Sequence, residues 1–166
     1  MKKISLLFLL FCFGAIGIVS NSCKKSTQDY IQTLFTGGQW QLASVQVFHF
    51  VGNVQGTTDT LNTNCNNTQM FKFNTDNSCT YTNFDCLPSS NASGHWSLSA
   101  DRLFLYADMV CQDTTAAKTS KPFQTAKIIN LGQYSLILQT GDLQTYYTPT
   151  QVRTITQYGF VRQKNQ

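Results

Sequence analysis

The chain has 166 residues, of which 42% are hydrophobic, 13% aromatic and only 12% charged. That length is one domain with enough apolar material for a sizeable core, and its wealth of Thr, Tyr and Phe, with no glutamate, suits strands better than long helices. The formal charge of +4 is partly in the first few residues, and beyond residue 22 ten basic groups face eight acidic ones, too weak and scattered a balance for nucleic-acid binding.

Residues 1–22 read as a secretory signal peptide. Lys2-Lys3 is the basic start, Ile4 to Val19 is almost continuously apolar, and Ser20-Asn21-Ser22 is the small polar end before Cys23. The apolar run falls short of the roughly 20 residues a membrane span needs. A short apolar leader, then Ser-Cys-Lys-Lys, resembles the processing site of bacterial lipoproteins. The resemblance implies cleavage before Cys23, acyl chains on it, and membrane partnership through that lipid. Burial of more than one chain, at roughly 0.8 kcal/mol per CH₂, makes such an anchor firm. By the same resemblance, Lys24 after the cysteine favours the outer membrane, on its periplasmic or surface-exposed side. Cys12 leaves with the leader.

Residues 23–36 are a lipidated tether and a short helix. Tyr30, Ile31, Leu34 and Phe35 give one apolar side, and Gly37-Gly38 stops it. From 37 to 163 the chain reads as one β domain. Gln39–Val51 is a long strand, and Thr57–Leu61 follows across a Gly52–Gly56 turn. Gln69–Asn74 and Ser78–Phe84 form a hairpin about Thr75-Asp76-Asn77, in which Asn suits the left-handed conformation that such a loop needs. Its register sets Phe73 opposite Cys79 and Phe71 opposite Tyr81, and brings Cys65 near Cys86. Ser93–Ser99 and Arg102–Ala107 form a second hairpin about Ala100-Asp101. Pairing there is expected to set Leu98 against Leu103 and Trp96 against Leu105, all on one face. Asp108 to Pro122 is a loop or short helix. Phe123–Asn130 and Tyr134–Thr140 make a third hairpin, and Leu143–Thr148 and Thr156–Arg162 are the expected closing strands. Several short strands at this spacing predict an all-β fold, a single antiparallel up-and-down barrel of about eight strands with a short N-terminal helix.

Gly38-x-Trp40-x-Leu42, Cys65 before Phe71-x-Phe73-x-x-Asp76-Asn77, Cys86, and Gly94-x-Trp96-x-Leu98-x-x-Asp101-x-Leu103-x-Leu105 stand in an order that resembles the bacterial lipocalin-like domain lipoproteins. The resemblance covers most of residues 37–162 and implies a lipocalin-like barrel whose floor Trp40 closes. It also suggests a Cys65–Cys86 disulfide. The chain departs from the pattern at Asn77, where glycine is common, and in carrying Cys79 and Cys111. Set apart from Cys12 and Cys23, four cysteines in an exported chain read as two disulfides with three connectivities. The hairpin register favours Cys65–Cys86 and leaves Cys79–Cys111.

The sequence carries little that reads as catalytic chemistry. No Gly-x-Ser-x-Gly, His-Glu-x-x-His or Walker sequence is present. His49 and His95 are far apart in sequence, and the cysteine spacings do not suit zinc. No cofactor, metal or catalytic residue is expected. Two readings remain. In the first, a barrel lined by Trp40, Phe71, Phe73, Trp96, Leu98, Leu103 and Leu105 holds one small apolar ligand. In the second, the same side chains fill the barrel, and the protein is an envelope scaffold whose loops at 52–68, 87–92 and 108–122 contact another envelope protein.

Overall fold

The computed structural model describes residues 30–61, 63–88 and 90–163. The leader, Cys23 and the start of the tether lie outside them. The chain divides into two units, the second running from Phe35 to Gln166. Residues 30–36 are helical, close to the expectation, and the last of them belong to the second unit.

That unit is an eight-stranded antiparallel barrel. The ring is made by β1 (Gln39–Val51), β3 (Met70–Phe73), β4 (Ser78–Thr82), β5 (Asn91–Leu98), β6 (Phe104–Ala107), β9 (Ala126–Leu131), β10 (Ser135–Gly141) and β11 (Val152–Arg162). Pairing of β1 with β11, from Trp40↔Arg162 to Val51↔Val152, closes it. Apolar and polar residues alternate along the strands, so each strand has one inward face. In β3 and β4, Phe71, Phe73, Cys79 and Tyr81 are buried between exposed or half-buried neighbours.

β2 (Val54–Leu61) is not in the ring. β1 is shared along its length: Gln39–Gln41 pair with β3, whereas Val45–Val51 pair with β2. The handover falls at a bulge between Leu42 and Ser44. There the Leu42 N–H donates to Gln69 O at 3.0 Å, and the Thr63 hydroxyl donates to Ala43 O at 3.2 Å. β1, β2 and β11 therefore run on past the ring as a three-stranded flap. The turn at its tip is tighter than expected: Gly52, at φ 57°, lets β2 begin at Val54.

The first hairpin has the expected register, with Phe71↔Tyr81 and Phe73↔Cys79. Asn77 is left-handed at φ 65°, and Asp76 Oδ1 accepts the Ser78 N–H at 2.9 Å. The second hairpin corrects the expectation. Leu98 faces Leu105 and Trp96 faces Ala107. Asp101 Oδ1 accepts both the Ser99 hydroxyl and the Leu103 N–H, and Arg102 is left-handed. This local bonding lengthens the turn by two residues, so Leu103 lies in the turn and is 52% exposed. The connection after β6 holds a small hairpin, β7 (Cys111–Gln112) with β8 (Thr119–Ser120). Residues 142–151 are not a closing strand. They form an irregular strap, and β11 supplies the closure alone.

Barrel interior and mouth as the candidate functional site

The side chains expected to line a ligand cavity pack against one another. The Phe71 ring centroid lies 4.1 Å from Phe73, 4.9 Å from Phe123, 5.3 Å from Tyr81 and 6.1 Å from Phe160. Tyr81 stacks on Phe123 at 5.6 Å. Below this layer Phe35 meets Phe73 at 5.0 Å and Trp96 at 5.5 Å. Trp40 closes the floor: its Nε1–H donates to Phe35 O at 3.0 Å, and the Arg162 guanidinium lies 4.5 Å from its ring centroid. Trp40, Phe71 and Leu105 have no exposed surface, Phe73 and Trp96 almost none, and Leu98 is half-buried. These residues are the core, and Leu103 is outside it.

Gly94 permits one close approach in this layer. A Cβ there would sit 2.7 Å from Met109 N and 2.4 Å from Asp108 Oδ1. Without one, the Asp108–Met109 backbone lies against β5, and Asp108 Oδ1 accepts the His95 N–H at 2.6 Å. That contact turns the connection inward, and Met109, Cys111 and Phe123 all become fully buried.

Cys65 and Cys86 form a disulfide with a Cα separation of 5.4 Å. Gln69, only 6% exposed, sits beside it. Its amide nitrogen donates to Cys65 Sγ at 3.4 Å and Cys86 Sγ at 3.7 Å, while its oxygen accepts the Asp85 N–H at 3.1 Å. The bridge holds a 3-10 turn (Phe84–Cys86) in which Asp85 and Cys86 are left-handed. Cys79 and Cys111, expected to pair, are free thiols, both fully buried. Counting by remainder treats cysteine only as a staple, whereas a buried thiol also packs as a small apolar group. Burial pushes both thiols up to about 12.

Above the aromatic layer the inward face continues onto the flap. Phe160 and Tyr158 point inward, so Thr156, Thr154 and Val152 follow on the same face of β11. Opposite them in β1 stand Val45, Val47, His49 and Val51. β2 adds Leu61 beside Val45, Asp59 beside Val47, and Val54 beside Val51. The deep end of this wall is buried: Val45 is 6% exposed, and burial pushes Tyr158 up to about 12. The outer end is open, with Val51 52%, Val54 72% and Val152 72% exposed. One polar pair interrupts it, His49 Nε2 to Asp59 Oδ2 at 2.9 Å.

The back of the flap is closed. Phe50 pairs with Arg153 across β1 and β11. The Arg153 guanidinium lies 3.6 Å from the Tyr147 ring centroid and 5.1 Å from that of Phe50, and donates to Gly52 O at 2.9 Å. Tyr147 belongs to the strap and its hydroxyl bonds Asn53 Oδ1. Sequence reading missed this contact. The available signal was Val45-Gln46-Val47-Phe48-His49-Phe50-Val51, which is apolar at alternate positions on both faces.

His95 faces outward, as expected from its parity with Trp96. Its Nδ1 lies 3.8 Å from Asp108 Oδ2, and both side chains are largely exposed. Among the described residues no three His, Cys, Asp or Glu side chains come together as a metal site.

The lipocalin-like domain family matches residues 37–138. With the closed eight-stranded barrel and its tryptophan floor, this places the chain in that family. A search of curated proteins returns no match.

Proposed function

We propose that the protein is a non-enzymatic cell-envelope lipoprotein, held on the outer membrane by acyl chains on Cys23, that binds a small apolar ligand on the mouth wall of its barrel instead of in its interior. One observation carries the ligand assignment: the two faces of the flap differ. The back is sealed by the strap, and the front exposes three valines in cross-strand register, Val54, Val51 and Val152. An exposed apolar surface next to a barrel mouth is where a family built for apolar ligands would take one once its core is filled. Covering each valine contributes about 1–2 kcal/mol, part of which is lost to ordering the ligand. The affinity is therefore modest. Anchor and location rest on the leader and the Ser22-Cys23-Lys24 sequence.

The filled interior supports a second reading, an envelope scaffold that contacts a protein through its loops. The β7–β8 hairpin supplies one such surface, an open groove of about 560 Å³ lined by Leu87, Gln112, Asp113 and Lys118.

Native mass spectrometry of the protein taken from its own envelope separates the readings. A stoichiometric apolar molecule, released on denaturation and lost from a Val51→Asp/Val152→Asp variant, supports wall binding. An apo mass with acyl chains on Cys23 refutes the ligand and leaves the scaffold.

A further inference from the structure

Strands of the ring alternate in direction, so one end of the barrel collects the start of β1, the β3–β4, β5–β6 and β9–β10 turns and the end of β11. This is the floor, where Phe35 O accepts the Trp40 indole N–H at 3.0 Å. Two turns there present large apolar side chains to solvent: Leu103 is 52% and Tyr134 61% exposed. Both turns are fixed to neighbouring strands, because Leu103 O accepts the Ile128 N–H at 2.8 Å and Tyr134 O accepts the Arg162 N–H at 3.0 Å. Ile129 and Val161, also exposed, continue the apolar surface onto the outer wall. Cations stand around it. Lys72 pairs with Gln39 at the start of β1, Lys127 pairs with Phe104 at the start of β6, Arg102 precedes Leu103 in its turn, and Arg162 ends β11. The two carboxylates at this end, Asp76 and Asp101, accept hydrogen bonds within their own turns. The mouth end has the opposite balance, with Asp59, Asp85, Asp113 and Asp142 outnumbering Lys118, Lys121 and Arg153.

We infer that the floor end of the barrel lies against an anionic lipid surface, and that the mouth opens away from the membrane. The side chains have the chemistry of such a contact. A tyrosine ring sits at headgroup level, an exposed leucine reaches below it, and Lys and Arg stems lie along apolar surface while their charges meet lipid phosphates. The inference rests on the acyl anchor proposed above, and the length of chain before the barrel argues for the same end. Cys23 precedes Phe35 by 12 residues, at most about 40 Å of fully extended chain. That chain enters the barrel at the floor. β1 then runs 13 residues to the flap tip, about another 40 Å along the strand. Acyl chains alone fix a point of attachment and not a face of the barrel. The floor contact selects the face. The exposed valines of the mouth wall then look into the aqueous compartment, so whatever reaches them arrives through water and not out of the anchoring bilayer.

The test uses the acylated protein in vesicles of phosphatidylethanolamine and phosphatidylglycerol, with one spin label at a time on Leu103→Cys, Tyr134→Cys or Val54→Cys. All three positions are exposed, whereas Cys79 and Cys111 are buried. Collision with oxygen, which concentrates in lipid, is compared with collision with a water-soluble nickel chelate. The oxygen-to-nickel ratio is expected to be severalfold higher at 103 and 134 than at 54. Lys72→Glu/Lys127→Glu, two exposed changes, is expected to bring the floor labels down to the Val54 value while the protein still sediments with the vesicles through its acyl chains. Vesicle-bound acylated protein whose floor labels match Val54 overturns the inference and leaves the anchor standing. So does a ratio higher at 54 than at the floor. Floor labels shielded equally in detergent and in vesicles, in proportion to protein concentration, mark a second copy on this surface and overturn it too. A mass without acyl chains refutes the anchor itself, and the inference falls with it.

Discussion

The Cys65–Cys86 bridge can be tested by reduction and by substitution, and the two should give different answers. The bridge closes a loop of sequence separation 21. In the chain-entropy treatment such a loop removes about 11 cal/mol/K from the unfolded ensemble, or about 3 kcal/mol at 25 °C. Reduction keeps both sulfurs beside the Gln69 amide. Cys65→Ala/Cys86→Ala removes them and leaves a buried Gln69 nitrogen without its two acceptors, which costs about 1 kcal/mol more. Trp40 and Trp96 are both buried, so their fluorescence reports urea unfolding. With a slope of about 2 kcal/mol/M, reduction should lower the midpoint by about 1.5 M and the double variant by about 2 M. A drop below about 0.5 M on reduction would refute the entropic argument. Equal drops in both samples would refute the role given to Gln69.

Four further outcomes are expected. Phe71→Ala removes the ring that touches four others and should cost about 3–5 kcal/mol; it should also open a dry cavity, so an apolar probe such as xenon binds the variant core and not the wild type. Cys79 and Cys111, buried and pushed up to about 12, should resist alkylation at neutral pH in the native protein and react fully in urea, as mass spectrometry would read. Hydrogen bonds from Ser78 to Asp76, from Ser99 to Asp101 and from Ser120 to Asp113 hold these carboxylates, the first two exposed and Asp113 7% exposed, below the ordinary aspartate value of about 3.9. Their stabilisation is therefore complete above that value and lost as pH falls through the folded-state values, and the Asp76→Asn/Asp101→Asn/Asp113→Asn variant should show a flatter fall of urea midpoint below about pH 4. Arg153→Ala deletes the guanidinium between Phe50 and Tyr147 and its bond to Gly52 O, which should cost about 2 kcal/mol and speed amide exchange in residues 142–151 while leaving β3 and β4 protected.

The sequence by itself determined whatever depends on local alternation and turn chemistry. β1 could be bounded because its apolar residues alternate between glycine signals, and the β3–β4 register followed from Asp76-Asn77, whose bonding fixes the turn whatever surrounds it. That register also placed Cys65 beside Cys86. The family pattern carried the barrel and its tryptophan floor. Tertiary structure decided the rest. Whether inward aromatics line a cavity or fill it depends on how rings from β3, β4, β11 and the 108–125 connection meet across the axis, and no single strand encodes that distance. Leu103 left the core because Asp101 bonded its own turn, a local preference that outweighed the burial of one leucine. The two free thiols depend on where their strands aim them and not on their number. The flap with its open edge arises because β1 is longer than the barrel is tall, a length visible in the sequence whose consequence appears only when β3 takes one half of it and β2 the other.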